Sequence, residues 1–184
     1  MFKVAVIVGS LRRESINRRF GQALAKLAEG SLEFQFVDLA DVPMYNEDLW
    51  QDVPPAVTRL KQSVEAADAV LFVTPEYNRS IPPVVKNTID WASRPRGENS
   101  WAGKPVGIVG TSGGAIGTAV AQSHLRHIVA VCDMKLLPLP EVYLVNKPGL
   151  IADNFEVSDE NSRAFLVGYV TKFAAWTAQH AAKG

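Results

Sequence analysis

The feature that most constrains the fold is an apolar run near the start of the chain, followed by a polar turn. Val4 to Val8 read VAVIV, with no polar residue between them. Such a β-branched run is typical of a parallel strand that helices cover on both faces. The run ends at Gly9, and a helical period of apolar residues extends from Phe20 to Leu27. The sequence therefore predicts a buried strand, a polar turn and a helix.

The turn between this strand and this helix is rich in hydrogen-bond donors: Ser10, Arg12, Ser15 and Asn17. A helix N-terminus adds free N–H groups and partial positive charge, so the turn suits a phosphate dianion. It contains neither G-x-G-x-x-G nor G-x-x-x-x-G-K-[ST], which excludes the dinucleotide fingerprint and the P-loop. We interpret the turn as a site for a terminal monophosphate. The alternative is that Ser15 and Asn17 only cap the helix while the arginines lie in water.

Composition places the chain among single-domain proteins without a charged partner. Its 184 residues, 47% of them hydrophobic, predict one domain over residues 1–184. Nineteen basic and nineteen acidic residues cancel, so we expect no nucleic acid and no anionic membrane as partner. The single Cys132 excludes an internal disulfide, and we expect a buried thiol in a cytoplasmic protein. We also expect no metal site, signal peptide or membrane span.

Strands and helices alternate along the whole sequence. The predicted strands are Val4–Val8, Leu32–Leu39, Ala69–Thr74, Pro105–Gly110 and, as the fifth, either Lys135–Leu137 or Val142–Val145. The predicted helices are Ile16–Ala28, Pro55–Ala66, Val84–Ala92, one ending near Val131, and Ser158–Ala182 with Phe165, Tyr169, Phe173 and Trp176 facing inward. Residues 40–55 form a long loop, which we expect to overhang a ligand. This alternation predicts an α/β fold with a doubly wound, five-stranded parallel sheet in the order 2-1-3-4-5.

Three polar turns follow the first, third and fourth strands. The second of them begins at Pro75 and continues PEYNRSIPP, and the third reads TSGG from Thr111. In a sheet of order 2-1-3-4-5 the carboxyl ends of these strands lie side by side, where ligands bind. The three turns are therefore predicted to converge on one rim.

The first two turns carry motifs of a known family. Gly9, Ser10, Arg12, Ser15 and Asn17 match G-S-x-R-x-x-S-x-N. The second turn matches P-E-Y-N and then S-x-P-x-x-x-K-N-x-x-D-W, through Pro75, Glu76, Tyr77, Asn78, Ser80, Pro82, Lys86, Asn87, Asp90 and Trp91. Over essentially its whole length the chain resembles the NADPH-dependent FMN reductase family, and in particular its bacterial quinone and chromate reductases. That resemblance implies a flavodoxin-like three-layer sandwich.

The resemblance also implies the cofactor and its contacts. FMN would be bound, with its phosphate held between Ser10 and Asn17 by Ser10, Arg12, Ser15, Ile16 and Asn17. Pro75, Glu76, Tyr77 and Asn78 would line the isoalloxazine, and Ser112 and Gly113 would close its other side. Pro75 has no N–H, so we expect the amides that follow it to face the ring. Glycine at 113 allows the backbone to approach a planar ligand.

The function implied is reduction of quinones, and of metal oxyanions such as chromate, by NADPH or NADH. The hydride would pass through the flavin N5 in a ping-pong scheme, so no side chain is assigned as catalytic. Three alternatives stay open: a flavin reductase that releases reduced FMN, a flavodoxin-like electron carrier, and a flavin-free binding domain. The zero net charge counts against a carrier, since carriers of this kind are usually strongly acidic.

Two helices carry apolar residues on more than one face, which predicts self-association. One contains Val84, Val85, Ile89 and Trp91, and the other region contains Ile116, Val120, Leu125, Ile128 and Val129. The resemblance likewise implies a dimer or a homotetramer. The alternative is ordinary surface exposure of apolar side chains, which monomers tolerate.

Overall fold

A computed structural model describes residues 1–181 of the chain. The strands are β1 (Phe2–Val8), β2 (Leu32–Phe36), β3 (Ala69–Val73), β4 (Pro105–Ser112), β5 (Lys135–Leu136) and β6 (Val142–Val145). The helices are α1 (Ile16–Leu27), α2 (Pro55–Glu65), α3 (Pro83–Ala92), α4 (Ala119–Val131) and α5 (Glu160–His180), with a short 3-10 helix at Glu47–Gln51. The predicted end of the last helix at Ala182 lies outside the described residues.

The strands form one parallel sheet in the predicted order. β1 lies between β2 and β3, and β4 follows β3. The fifth position is shared, because β5 pairs with Pro105–Val106 and β6 pairs with Val109–Ser112 of the same strand β4. Both candidates for the fifth strand are therefore used. Between them lie Pro138 and Pro140, which have no N–H to donate to a continuous ladder.

Helices cover both faces of the sheet, which gives three layers. Val4, Val6 and Val8 pack in the cluster formed with α1 and α5. Ala5 and Ile7 pack on the opposite side with α2, α3 and α4. This alternation explains why β1 is apolar throughout. Cys132 is buried in the second cluster as expected, and burial raises the pKa of its thiol.

The buried stripe of α5 differs from the prediction at one residue. Leu166, Tyr169, Val170, Phe173 and Thr177 are buried, whereas Phe165 is 44% exposed. The stripe follows an i, i+3, i+4 spacing that starts at Leu166, and Phe165 lies one residue, about 100°, away from it. The prediction that Phe165 faces inward is wrong. Trp176 is half-buried, and its Nε1 donates to the carbonyl of Lys135 at 2.8 Å.

The long loop after β2 is held against α3. Trp91 Nε1 and Asn87 Nδ2 both donate to the carbonyl oxygen of Pro43, at 2.7 and 2.8 Å. Asn87 Oδ1 accepts from the Tyr45 N–H at 2.7 Å. The rings of Tyr45 and Trp50 contact the edge of Trp91, with centroids 4.9 and 5.2 Å apart. The second apolar face of α3 is thus covered within the chain, which removes α3 as an argument for self-association.

Candidate functional site

The carboxyl ends of β1, β3 and β4 bring the three polar turns to one rim. The Gly9 N–H donates to Val73 at 2.9 Å, and the Thr74 N–H donates to Val109 at 2.9 Å. A Cβ on Gly9 would lie 2.8 Å from Val85 Cγ2 and 2.9 Å from Pro75 Cδ, closer than side chains can approach. Glycine is therefore required where the first turn meets the second.

The first turn keeps several donors free. Ser15 precedes α1, and its Oγ accepts from the Arg18 N–H at 3.2 Å, so it does cap the helix. Its hydroxyl hydrogen is still available to a ligand. Ser10 Oγ and the Arg12 guanidinium make no hydrogen bond within residues 1–181. The N–H groups of Ile16 and Asn17, at the start of α1, have no intrahelical acceptor.

The side chain of Asn17 is buried and hydrogen-bonded to the backbone of Thr111. It is 1% exposed, its Nδ2 donates to the Thr111 carbonyl at 2.9 Å, and its Oδ1 accepts from the Thr111 N–H at 3.0 Å. This pair joins the first turn to the end of β4. The backbone N–H of Asn17 has no acceptor within α1 and is available to a ligand.

The second turn is a tight reversal. Tyr77 and Ser80 exchange two backbone hydrogen bonds of 3.0 Å, while Asn78 and Arg79 between them have φ of 50° and 62°. Both central residues are thus left-handed, as in a type I′ turn. The amide of Tyr77 is therefore not free, contrary to the expectation from Pro75. The amides of Glu76 and Asn78 donate to no acceptor in the described part of the chain.

Glu76 directs its carboxylate toward α4. Its Oε2 accepts from the N–H groups of Val120 and Ala121, at 3.0 and 3.1 Å, and its Oε1 accepts from Arg79 Nη1 at 2.8 Å. Burial alone raises the pKa of Glu76, but the hydrogen bonds from Ala121, Arg79 and Val120 outweigh it and lower the pKa overall. Glu76 is therefore a carboxylate at neutral pH and not a proton donor.

In the third turn, Ser112 is hydrogen-bonded within the turn, whereas Gly113 borders open space. Ser112 Oγ donates to the Gly117 carbonyl at 2.6 Å and accepts from the Gly114 N–H at 3.2 Å, which organises the turn internally. A Cβ on Gly113 would meet nothing within 4 Å. The surface at Gly113 is therefore free for a flat ligand.

Six of the eleven predicted site residues line three separate cavities, and the other five line none of them. A cavity of about 440 Å³ separates the second and third turns and is lined by Glu76, Arg79, Ser112, Gly114, Ala115, Ile116 and Gly117. Ser10 and Arg12 line a cavity of about 200 Å³ beside the first turn. Ser15 and Ile16 line a third cavity, of about 500 Å³, toward Lys147. Pro75, Tyr77, Asn78, Asn17 and Gly113 line none of these three.

Sequence reasoning missed Thr111, Arg79 and the first amides of α4. Thr111 lies 94 residues after Asn17, and Val120 lies 44 residues after Glu76. No local spacing connects such pairs. The one available signal was that Thr111 directly follows the apolar run of β4.

The donors of the rim fit a phosphorylated planar cofactor. Hydroxyls, a guanidinium and helix N–H groups at the first turn suit a terminal phosphate. Among residues 1–181 no group of three His, Cys, Asp or Glu side chains is placed to hold a metal ion. Within the same range no helix has the length and apolar character needed to cross a membrane.

Comparison with known proteins agrees with this geometry. The sequence model for NADPH-dependent FMN reductases matches residues 2–149. A 2-hydroxy-1,4-benzoquinone reductase of Burkholderia is 48% identical over 174 residues, with 95% of each chain covered. A quinone reductase of Pseudomonas putida is 44% identical over 177 residues, covering 96% of this chain and 95% of that protein.

One solved structure is similar in both sequence and fold. The flavoenzyme NAD(P)H:(acceptor) oxidoreductase FerB of Paracoccus denitrificans superposes with a TM-score of 0.97 at 46% identity. The match covers 99% of this chain and 100% of that chain.

Proposed function

Because the chain belongs to the NADPH-dependent FMN reductase family, we propose that it is an FMN-containing oxidoreductase that uses NAD(P)H to reduce quinones. The observation that carries the proposal is the free donor set of the first turn, joined at Gly9 to the second turn. Two relatives named as a benzoquinone reductase and a quinone reductase support quinones as the acceptors.

The phosphate of FMN would be held by the first turn. Ser10, Arg12 and the hydroxyl of Ser15 supply side-chain donors, and Ile16 and Asn17 supply backbone N–H groups. Donors of these types would suit a terminal phosphate, whereas the glycine motif that a pyrophosphate needs is missing. The absence of that glycine motif supports FMN over FAD.

The ring of FMN would lie between the second and third turns. Pro75 is buried and Tyr77 is 45% exposed, which supports a wall formed by residues 75–78. Ser112 and the open surface of Gly113 supply the other side. When bound there, FMN supplies the hydride chemistry, accepting from NAD(P)H and passing electrons on.

The carboxyl of Glu76, beside the proposed ring site, has no proton to supply at neutral pH, because its hydrogen bonds lower its pKa. Glu76 is ionised and bonded to α4 and Arg79. We propose that NAD(P)H and the acceptor use the same exposed region in turn, which predicts ping-pong kinetics. On the family resemblance, we extend the acceptors to metal oxyanions such as chromate. The free Cys132 supports a cytoplasmic location.

The test is reconstitution followed by anaerobic reduction. The purified chain is loaded with FMN or FAD, and NADPH or NADH is added without oxygen while the flavin absorbance is followed. We expect FMN to bind more tightly than FAD, to be bleached by NAD(P)H, and to regain its colour on addition of a quinone. Double-reciprocal plots at several quinone concentrations should be parallel.

Different results point to the alternatives. Tight binding of FAD would contradict the phosphate site. Bound FMN that NAD(P)H does not bleach would indicate an electron carrier. Release of reduced FMN before the quinone is added would indicate a flavin reductase, and intersecting lines would require a ternary complex.

A further inference from the structure

Helix α4 has no N-terminal cap of its own. Thr118, the residue before it, makes no side-chain capping bond, and its Oγ1 accepts from Gln122 Nε2 at 2.8 Å. The first turn of α4 contains no acidic residue. The first N–H groups of a helix need acceptors, and a negative charge there is stabilising. For α4 the acceptor and the negative charge must therefore come from a residue outside the helix.

Glu76 of the second turn supplies both the acceptor and the negative charge at the start of α4. One carboxylate oxygen accepts from both Val120 and Ala121, at 3.0 and 3.1 Å, and the side chain is only 6% exposed. The other oxygen pairs with Arg79 at 2.8 Å. A residue of the turn after β3 therefore caps the helix after β4.

A second contact joins the same two elements. Ser80 Oγ and His124 Nδ1 of α4 lie 3.0 Å apart. Arg79 has a φ of 62°, which a residue with a side chain adopts rarely, and its guanidinium pairs with Glu76 at 2.8 Å. The second turn is thus fixed to α4 at both of its ends.

We propose that Glu76 is a positioning residue that sets the separation between the second and third turns, and hence the width of the cavity for the flavin ring. Both turns line the cavity of about 440 Å³, and Glu76 itself forms part of its wall. Because only four residues separate the third turn from the start of α4, the hydrogen bonds to Val120 and Ala121 connect the two walls. This inference rests on the proposed binding of FMN.

The test compares Glu76→Gln and Glu76→Ala with the parent chain in titrations with FMN and with riboflavin. Glu76→Ala removes the acceptor of the Val120 and Ala121 N–H groups and so no longer fixes the separation of the two walls, and it should weaken flavin binding by about tenfold or more. Glu76→Gln keeps one acceptor oxygen, so its flavin affinity should lie between those of the parent chain and Glu76→Ala. FMN and riboflavin should lose affinity equally, because the phosphate contacts are unchanged.

A second measurement does not depend on flavin. Amide hydrogen exchange at Val120 and Ala121 should accelerate in both variants of the flavin-free chain, because their acceptor is lost or weakened. Ser80→Ala removes the other contact without touching a buried charge. It should produce a smaller loss of flavin affinity, again equal for FMN and riboflavin.

Asp159→Asn is the matched control. Asp159 Oδ2 caps α5 by accepting from the Ser162 N–H at 2.8 Å, and it does not line the ring cavity. This variant should lose some stability and keep the flavin affinity of the parent chain. An equal loss of affinity in Asp159→Asn would show a general effect of destabilisation and overturn the inference.

The inference and the proposed function fail in different ways. If the parent chain binds FMN, and Glu76→Gln, Glu76→Ala and Ser80→Ala all bind it equally well, the positioning role is wrong. If the parent chain itself does not bind FMN, the proposed function fails, and the positioning role fails with it.

Discussion

Arg12 and Asn17 belong to the same motif but have different surroundings. The Arg12 side chain is exposed and makes no hydrogen bond within residues 1–181, whereas Asn17 is buried against Thr111. The sequence pattern could predict that a phosphate site is present, because the types of donor are visible in it. It could not separate a side chain that is left free, such as Arg12, from one that holds the turn in place, such as Asn17.

Arg12→Ala should weaken FMN binding by about ten- to a hundredfold, since a hydrogen bond to a charged group contributes about 1.5–3 kcal/mol. Riboflavin binding should change little, because it has no phosphate. Titration of the flavin-free chain with each flavin measures both effects. Arg96→Ala is the control: Arg96 is an exposed arginine beyond the end of α3, at the opposite end of the sheet. Equal losses for FMN and riboflavin would contradict the assignment of Arg12 to the phosphate.

The lowered pKa of Glu76 predicts a stability difference that depends on pH. A carboxyl with a depressed folded-state pKa contributes stability above the ordinary glutamate value of about 4.3, and that stability is lost as pH falls through the folded-state value. The Arg79 guanidinium faces this carboxylate at 2.8 Å, and the His124 ring of α4 lies beside Ser80. The difference in unfolding free energy between the parent chain and Glu76→Gln should therefore shrink as the pH falls below about 4.3. Urea unfolding at several pH values measures it, and a constant gap would contradict the role of the charge.

At the scale of elements, β4 contains a glycine that leaves no room for a side chain. A Cβ on Gly110 would overlap the Thr74 carbonyl oxygen and Thr118 Oγ1. The Thr74 oxygen is a backbone atom just before the second turn, and Thr118 lies just before α4. The end of β3, β4 and the start of α4 therefore approach one another through this glycine.

Gly110→Ala should destabilise the chain by about 1–3 kcal/mol or more, because the backbone at Thr74 cannot rotate away. Gly168→Ala is the contrasting variant. Gly168 lies within α5, where a Cβ would meet nothing within 4 Å, so alanine should stabilise the helix by up to about 1 kcal/mol. Urea unfolding of both variants gives the comparison. A neutral Gly110→Ala would contradict the packing described here.

Most elements were predictable from sequence because their signals are local. The apolar run of β1 and the motif turns after β1 and β3 needed only neighbouring residues. No local signal predicted the hydrogen bond of Trp91, because its acceptor Pro43 lies 48 residues earlier. The same limit applies to the two short strands that share the edge of the sheet, where periodicity could not choose between them.

At the scale of the whole molecule, self-association stays a proposal with a narrower basis. The apolar face of α3 is covered by Tyr45 and Trp50, so it no longer argues for a partner. Near α4, however, Ile116, Val131 and Leu139 are 48%, 85% and 64% exposed. These side chains support a dimer or tetramer with α4 in the contact.

Light scattering should give a mass of two or four times the 20.0 kDa of one chain. Val131→Lys and Leu139→Lys should shift it toward one chain, because a charge would be buried in the contact. Phe165→Lys, on the exposed face of α5, is the control and should leave the mass unchanged. A parent chain that is monomeric, flavin-bound and active would show that no such contact is needed.

The pairing of Asn17 with Thr111 also sets an order of events during synthesis. The first turn leaves the ribosome early, but the residue that fixes it is translated 94 positions later. Contacts of such high sequence separation form late in folding, because the intervening chain must first be closed into a loop. We therefore expect the nascent chain to fix the conformation of its first turn only after β4 has been made.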